Sequence, residues 1–334
     1  MAADGRLSGV RILDFSIWRP GPYATQLLAE LGADICKVEP PGGDPMHAYP
    51  DLYEELNVRK RCIELDLKSD EGRADALALA VDVDVVVEGY RPGVADRLGI
   101  GYEAIRAVNA RVIYCSISGL GQIGPLALAS GHDLNYQAWS GALAPDGGTP
   151  VMAAVPIADL AGGLAAAFAI SAAVVRQLRT GEGDHIDVAM SDVLATWTGA
   201  VTPTAKGVDT SQARGVPGYG IFPTADGKFV TLAIISEDHF WRPLCDALGL
   251  DDARDLSFVD RMPRQPALQA RIAAAILTRN RDELVDELLA AGVPAAPALS
   301  RAEMLALAHH RERGAVVVDA DGVPRTGRAV RFDV

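Results

Sequence analysis

Aromatic residues make up only 6% of the 334-residue chain, and its 31 Lys and Arg are outnumbered by 44 Asp and Glu. The resulting net charge of −13 speaks against a nucleic-acid or anionic-membrane partner. Cysteine is scarce: Cys36, Cys62, Cys115 and Cys245 are scattered, with no CxxC pair. That pattern fits a reducing cytosol and argues against a disulfide framework or a structural zinc site. The N-terminal "MAADGRLSGVRILDFS" has no charged leader ahead of an apolar core, so no signal peptide is read and a cytoplasmic location is expected. No GxxxxGK[ST], HExxH or GxSxG occurs. Gly119, Gly121 and Gly124 have GxGxxG-type spacing after a predicted strand, but Pro125 interrupts any helix there, which weakens a dinucleotide reading.

Long apolar runs are missing too. The nearest is Leu160 to Val175, sixteen uncharged residues dominated by Ala and Gly. It falls short of the ~18–20 residues of a spanning helix. It reads as a buried helix that other elements approach closely.

Strand and helix signals alternate through the first half. Val10–Ser16, Ile35–Glu39, Arg61–Lys68, Val83–Tyr90 and Arg111–Ser118 read as strands. Helical stretches at Tyr23–Ala33, Ser69–Ala80 and Tyr102–Asn109 separate them. Parallel βαβ units in an α/β, Rossmann-like doubly wound sheet follow. Ligands of such sheets sit beyond the C-terminal strand ends, here the loops 89–101 and 118–133. After Thr198 the composition turns to Gly, Pro, Thr and Ala, predicting a linker over 199–216. The expected organisation is a large domain (1–198), a smaller α+β domain (217–307), and a tail (308–334) returning to the large one.

The chemistry-bearing residues stand at predicted helix starts. "GHD" places His132 and Asp133 before "LNYQAWSGAL"; Asp159 opens the Ala/Gly helix; Glu237 lies in the first turn of "EDHFWRPL". Singly, the acids are ordinary caps or dipole partners. Together they suggest more. A helix N-terminus keeps a histidine neutral and a carboxylate ionised. Two such groups facing one carbon can remove a proton from one side and return it on the other. Backbone N–H groups at a helix start can hold the enolate oxygen. A second, basic cluster comprises Lys37, Arg59, Lys60, Arg61, Arg91 and Arg97. Against so acidic a background it favours a phosphate-rich small ligand over a merely solvated face.

The stretches "ILDFSIWRPGPYATQLLAELGADICKVEPPGGDP", "EGYRPGVADRLGIGYE", "VIYCSISGLGQIGP", "GHDLNYQAWSG" and "TGEGDHIDVAMSD" make the chain resemble the class III CoA-transferase (CaiB/BaiF) superfamily, including its α-methylacyl-CoA racemases. The resemblance implies an intertwined homodimer and an acyl-CoA ligand contacted by Lys37, Arg59, Lys60, Arg61, Arg91, Arg97 and Tyr136. In the racemases, His132 and Asp159 would flank the α-carbon, Asp133 would offer its backbone N–H to the enolate, and Glu237 would orient His132. In the transferases the residue matching Asp159 is a covalent nucleophile. The leading expectation is a racemase or epimerase of 2-methyl-branched acyl-CoA with no metal or redox cofactor. The alternatives are a CoA transferase working through Asp159 and a non-catalytic CoA-binding member.

Overall fold

The computed structural model describes residues 5–143, 150–198, 215–327 and 330–332. Most of the expected linker, up to residue 214, lies outside the described residues. The chain divides into two compact units, Met1–Gly199 and Ala200–Val334. The tail expected to return to the first domain, 308–334, groups with the second.

The first unit runs β1 (Arg11–Asp14), α1 (Pro20–Glu30), β2 (Asp34–Glu39), α2 (Pro50–Asn57), β3 (Arg61–Glu64), α3 (Asp70–Ala80) and β4 (Val85–Glu88). It continues with α4 (Val94–Arg97), α5 (Tyr102–Val108), β5 (Ile113–Ser118), α6 (Asp133–Trp139), α7 (Ile157–Thr180), β6 (Asp184–Ala189) and α8 (Met190–Thr198). The six strands form a parallel sheet in the order β3-β2-β1-β4-β5-β6. Strands β4 and β5 are buried along their whole length, as central strands covered on both faces must be. The edge strand β3 is largely exposed. One apolar core gathers α1 and α7 residues with Ile12, Val85 and Ile113. The other packs Ala76 and Ala80 of α3 and Ile105 of α5 against Leu13, Val86 and Tyr114. Alternate residues of each strand thus serve opposite cores.

The chain moves outward from β1 to β2 and β3, then returns to β4 on the other side of β1. The crevice between the C-terminal ends of β1 and β4 is therefore the switch point where doubly wound sheets bind ligands. Glycines let its loops meet. A Cβ on Gly89 would stand 3.4 Å from Cβ of Ser16, and one on Gly21 would overlap the Ser16 hydroxyl.

Helix α7 is long and apolar enough to cross a membrane by length and composition. Its buried face (Ala158, Ala161, Gly162, Gly163, Ala166, Ala167, Ile170) belongs to the sheet's core, as the Ala/Gly composition predicts. A Cβ at Gly162 would come within 2.5 Å of Met190, and one at Gly163 within 2.7 Å of the Pro20 carbonyl oxygen. Small residues here let α8 and α1 reach the helix backbone.

The second unit holds β7 (Tyr219–Pro223), β8 (Phe229–Ala233), α9 (Asp238–Leu248), α10 (Phe258–Arg261), α11 (Gln265–Ile276), α12 (Arg281–Ala290) and β9 (Ala295–Pro297). The short α13 (Arg301–Ala306) and α14 (Ala308–Glu312) and the hairpin β10 (Val316–Val318)–β11 (Pro324–Thr326) complete it. Strands β7-β8-β9 make an antiparallel sheet. Helices α9, α11 and α12 bury Trp241, Ile272 and Leu284 with it. The Trp241 indole N–H donates to the Ala253 carbonyl at 2.9 Å, so this large side chain is buried without losing its hydrogen bond.

Candidate active site

The GxGxxG-type segment leads into no helix. A Cβ on Gly119 would overlap the Tyr136 ring, while Gly121 and Gly124 have φ of 83° and 105°. These glycines shape a loop that packs on α6, and Pro125 is followed by turns up to α6 at Asp133. Tyr136 itself is buried, and its hydroxyl donates to the Gly131 carbonyl. It clamps the loop to the helix and has little left to offer a substrate. Burial and the charge of Asp159 push its hydroxyl upward in pKa, while Arg91 pulls it down.

His132 is the N-cap residue of α6, in extended backbone, with its side chain exposed. Its backbone N–H donates to Asn135 Oδ1 at 3.1 Å, which fixes the start of the helix. Asp133 does something the sequence did not suggest. Its Oδ1 accepts from the backbone N–H of Ala158 at 2.6 Å and of Asp159 at 3.2 Å. It therefore caps α7, a helix 25 residues further on, and not its own. Its Oδ2 accepts from Gln137 Nε2 at 2.5 Å. This is needed because Pro156, the N-cap residue of α7, supplies no side-chain cap of its own. The tie joins the start of α7, which carries Asp159, to the start of α6, which His132 caps.

Asp159 departs from the expected ionised state. Burial raises its pKa from 3.8 to about 6, and the nearby negative charge of Asp133 adds to the rise. Arg19 opposes it. A carboxyl that titrates near neutrality is suited to taking and giving protons.

The basic residues divide into two sets. Arg59, Arg61, Arg91 and Arg97 are exposed. Lys37 and Lys60 do not belong with them. The Lys37 side chain is fully buried, donating to the Ser16 carbonyl at 2.6 Å and to Asp44 Oδ2 at 2.9 Å. Lys60 is equally enclosed, donating to the Pro22 carbonyl at 2.8 Å and lying 3.4 Å from Asp14 Oδ2. Desolvation brings the Lys60 pKa down to about 8 despite that carboxylate. Both lysines are internal struts of the β1 loop, because each ammonium is already matched by carboxylate and carbonyl oxygens. Asp14 anchors them. Burial favours its neutral form, but Lys60 and Lys37 outweigh this and hold it below the usual carboxylate range.

Glu237 is the N-cap residue of α9 in the second unit, half-buried, with Oε2 accepting from the Ile235 N–H at 2.9 Å. That bond lowers its pKa. Sequence reasoning missed three groups. Asp14 is buried under the switch point, Glu88 ends β4 with a pKa raised by burial to about 7, and Arg19 opens α1. Only Arg19 carried a signal, a cation in "SIWRPGP" between a strand end and a Pro-Gly-Pro helix start.

The six-stranded parallel sheet with helices between its strands makes the first unit a doubly wound α/β fold, with Asp159, Arg19 and exposed arginines among its candidate site residues. The chain matches CoA-transferase family III over residues 7–333. It is 34% identical to the acetyl-CoA:oxalate CoA-transferase of Acetobacter aceti, covering 98% of this chain and 89% of that one. It is 30% identical to the alpha-methylacyl-CoA racemase of Homo sapiens, over 94% and 83%. A CAIB/BAIF family protein from Brucella suis has the same fold, with a TM-score of 0.86 and 30% identity over 98% of this chain and 92% of that one. The chain belongs to CoA-transferase family III, and it is an enzyme acting on acyl-CoA.

Proposed function

We propose that the protein is a racemase or epimerase of 2-methyl-branched acyl-CoA thioesters. The observation that supports this reading is the Asp133 carboxylate: it accepts from the backbone N–H groups of Ala158 and Asp159 and so ties the start of α7 to α6, the helix His132 caps, while burial raises the Asp159 pKa to about 6. One of the two takes the α-proton as the thioester becomes an enolate, and the other returns a proton to the opposite face. The first N–H of α6, on Asp133, is the donor for the enolate oxygen. Arg91 and Arg97 hold the phosphates of CoA. Such proton transfer needs no resident metal or redox cofactor. In this reading Glu237 comes from a second copy of the chain in an intertwined homodimer and orients His132. The enzyme works in the cytoplasm, where its four unpaired thiols are stable.

A second reading has its own support. The acetyl-CoA:oxalate CoA-transferase is more similar to this chain than the racemase is, at 34% against 30% identity. Asp159 would then attack the thioester carbonyl, forming a mixed anhydride and releasing CoA thiolate. Incubating the enzyme with (R)-2-methylbutyryl-CoA in D2O separates the two. Deuterium at the α-carbon with loss of configuration supports the racemase. No exchange, with CoA moving to an added carboxylate and hydroxylamine trapping an acyl-enzyme, replaces it with the transferase.

A further inference from the structure

Residues 15–19 leave the C-terminal end of β1 at the switch point, and the protein holds them rigidly from beneath. The Ser16 N–H donates to Asp14 Oδ1 at 2.9 Å, and its carbonyl accepts from buried Lys37 at 2.6 Å. Asp44, buried and paired with Lys37, accepts from the Trp18 N–H at 3.4 Å. Trp18 has φ of 63°, a left-handed conformation unfavourable for a bulky residue. It is the only non-glycine residue so placed among the described residues, and its side chain is exposed. Strain of this kind persists where the surroundings enforce it, and it concentrates at ligand sites.

The conformation has a consequence for the next residue. Arg19 is the N-cap residue of α1, its carbonyl accepting from the Tyr23 N–H at 2.9 Å. Helix α1 begins against α7, where a Cβ on Gly163 would stand 2.7 Å from the Pro20 carbonyl oxygen. Gly163 lies one helical turn from Asp159, on the same face of α7. Arg19 therefore stands beside the catalytic carboxyl, and its charge acts on that carboxyl. Its guanidinium makes no hydrogen bond or ion pair among the described residues. In a chain of net charge −13, a half-buried cation next to the reacting group thus has no hydrogen-bond or ion-pair partner among the described residues.

We propose that Arg19 is the specificity-determining residue of this site, receiving the free carboxylate of an acyl group that is a dicarboxylic acid joined to CoA at its other end. This rests on the acyl-CoA site of the proposed function and names its substrate class. Guanidinium is a planar fork matched to a carboxylate, and its partner gains two charge-assisted hydrogen bonds. A plain hydrocarbon tail in the same place would desolvate Arg19 and return nothing. The phosphates of CoA have exposed arginines of their own. A carboxylate on Arg19 would also neutralise the charge that opposes protonation of Asp159, making that carboxyl a stronger base when the correct substrate is bound.

Two thioesters that differ only at the far end test this. 2-Methylsuccinyl-CoA carries a carboxylate where 2-methylbutyryl-CoA carries a methyl group. Dissociation constants for both, and for free CoA, are measured by calorimetry on the full chain and on Arg19→Gln and Arg19→Lys. Wild type should bind 2-methylsuccinyl-CoA about 10- to 100-fold more tightly than its methyl counterpart. Arg19→Gln should bring the two within about twofold, Arg19→Lys should keep part of the preference, and free CoA should bind all three alike. No preference in wild type overturns the proposal, as does a preference that survives Arg19→Gln. So does an equal loss for free CoA, which would make Arg19 a phosphate contact. Binding is read without turnover. An enzyme that shows the preference but exchanges no α-proton in D2O loses the racemase reading and keeps Arg19.

Discussion

Replacing Asp159 by Asn should inactivate the enzyme and make it more stable, but only above the pH at which Asp159 ionises. The rise in pKa from 3.8 to about 6 means that the folded protein disfavours the ionised carboxyl. At 1.36 kcal/mol for each tenfold change, that opposition amounts to ~3 kcal/mol at pH 8. A group whose folded pKa is raised stabilises the fold most below its unfolded pKa. That contribution is lost as pH climbs from about 4 through about 6. At pH 4.5 the opposition has shrunk to ~1 kcal/mol, because most of Asp159 is then protonated in the folded state. Asparagine escapes the charge but still loses water, so ~3 kcal/mol is an upper bound on the gain. For a unit of this size each kcal/mol moves the midpoint by about 2–4 °C. Thermal unfolding of wild type and Asp159→Asn at pH 8 and pH 4.5 reads the difference. A variant clearly more stable at pH 8 and nearly matched at pH 4.5 is expected. Equal offsets at both pH values would refute the idea that Asp159 is held against its preferred state.

Asp133 offers a finer probe of the same carboxyl. Asp133→Asn keeps an acceptor for the Ala158 and Asp159 N–H groups but removes the charge, so Asp159 titrates lower and the acid limb of kcat/KM moves to lower pH. Asp133→Ala loses the acceptor as well and should cost a further ~0.5–2 kcal/mol in urea unfolding. Gly163→Ala forces a Cβ to within 2.7 Å of the Pro20 carbonyl, so ~1–3 kcal/mol is lost and kcat falls as Asp159 shifts. Lys60→Met strands Asp14 in a buried site and should destabilise by ~3–5 kcal/mol. The Asp14→Asn, Lys60→Met double variant should lose clearly less than the sum of the singles, which a double-mutant cycle in urea measures.

What could be foreseen from the chain and what could not divides along a physical line. The sheet was legible because β4 announces itself as a short β-branched run, and because Ser69 and the acids after it mark the start of α3. These are local signals, carried by residues that sit in the element they describe. The small residues of α7 were legible for a similar reason, since Ala and Gly in a long apolar helix have few uses besides close packing. The candidate site was only half legible. His132 and Asp159 could be named from their helix-start positions, but the tie between them could not. An aspartate that caps the helix of which it is the neighbour in space looks identical, in sequence, to one that caps its own. The lysines failed in the opposite sense. Lys60 lies between two exposed arginines, and Lys37 shares their charge. Yet the buried carboxylates Asp14 and Asp44 draw both ammonium groups inward. A basic run reports charge, and charge alone does not say whether its partner is a ligand or the protein. Arg19 shows the converse. It stands alone in the sequence, and nothing there marks it as the neighbour of Asp159. The buried pair beneath Ser16 and the left-handed Trp18 fix the backbone on which it stands, next to a carboxyl that already titrates near neutrality. The Arg19 guanidinium has no hydrogen-bond or ion-pair partner among the described residues, and a ligand carboxylate is the partner proposed for it.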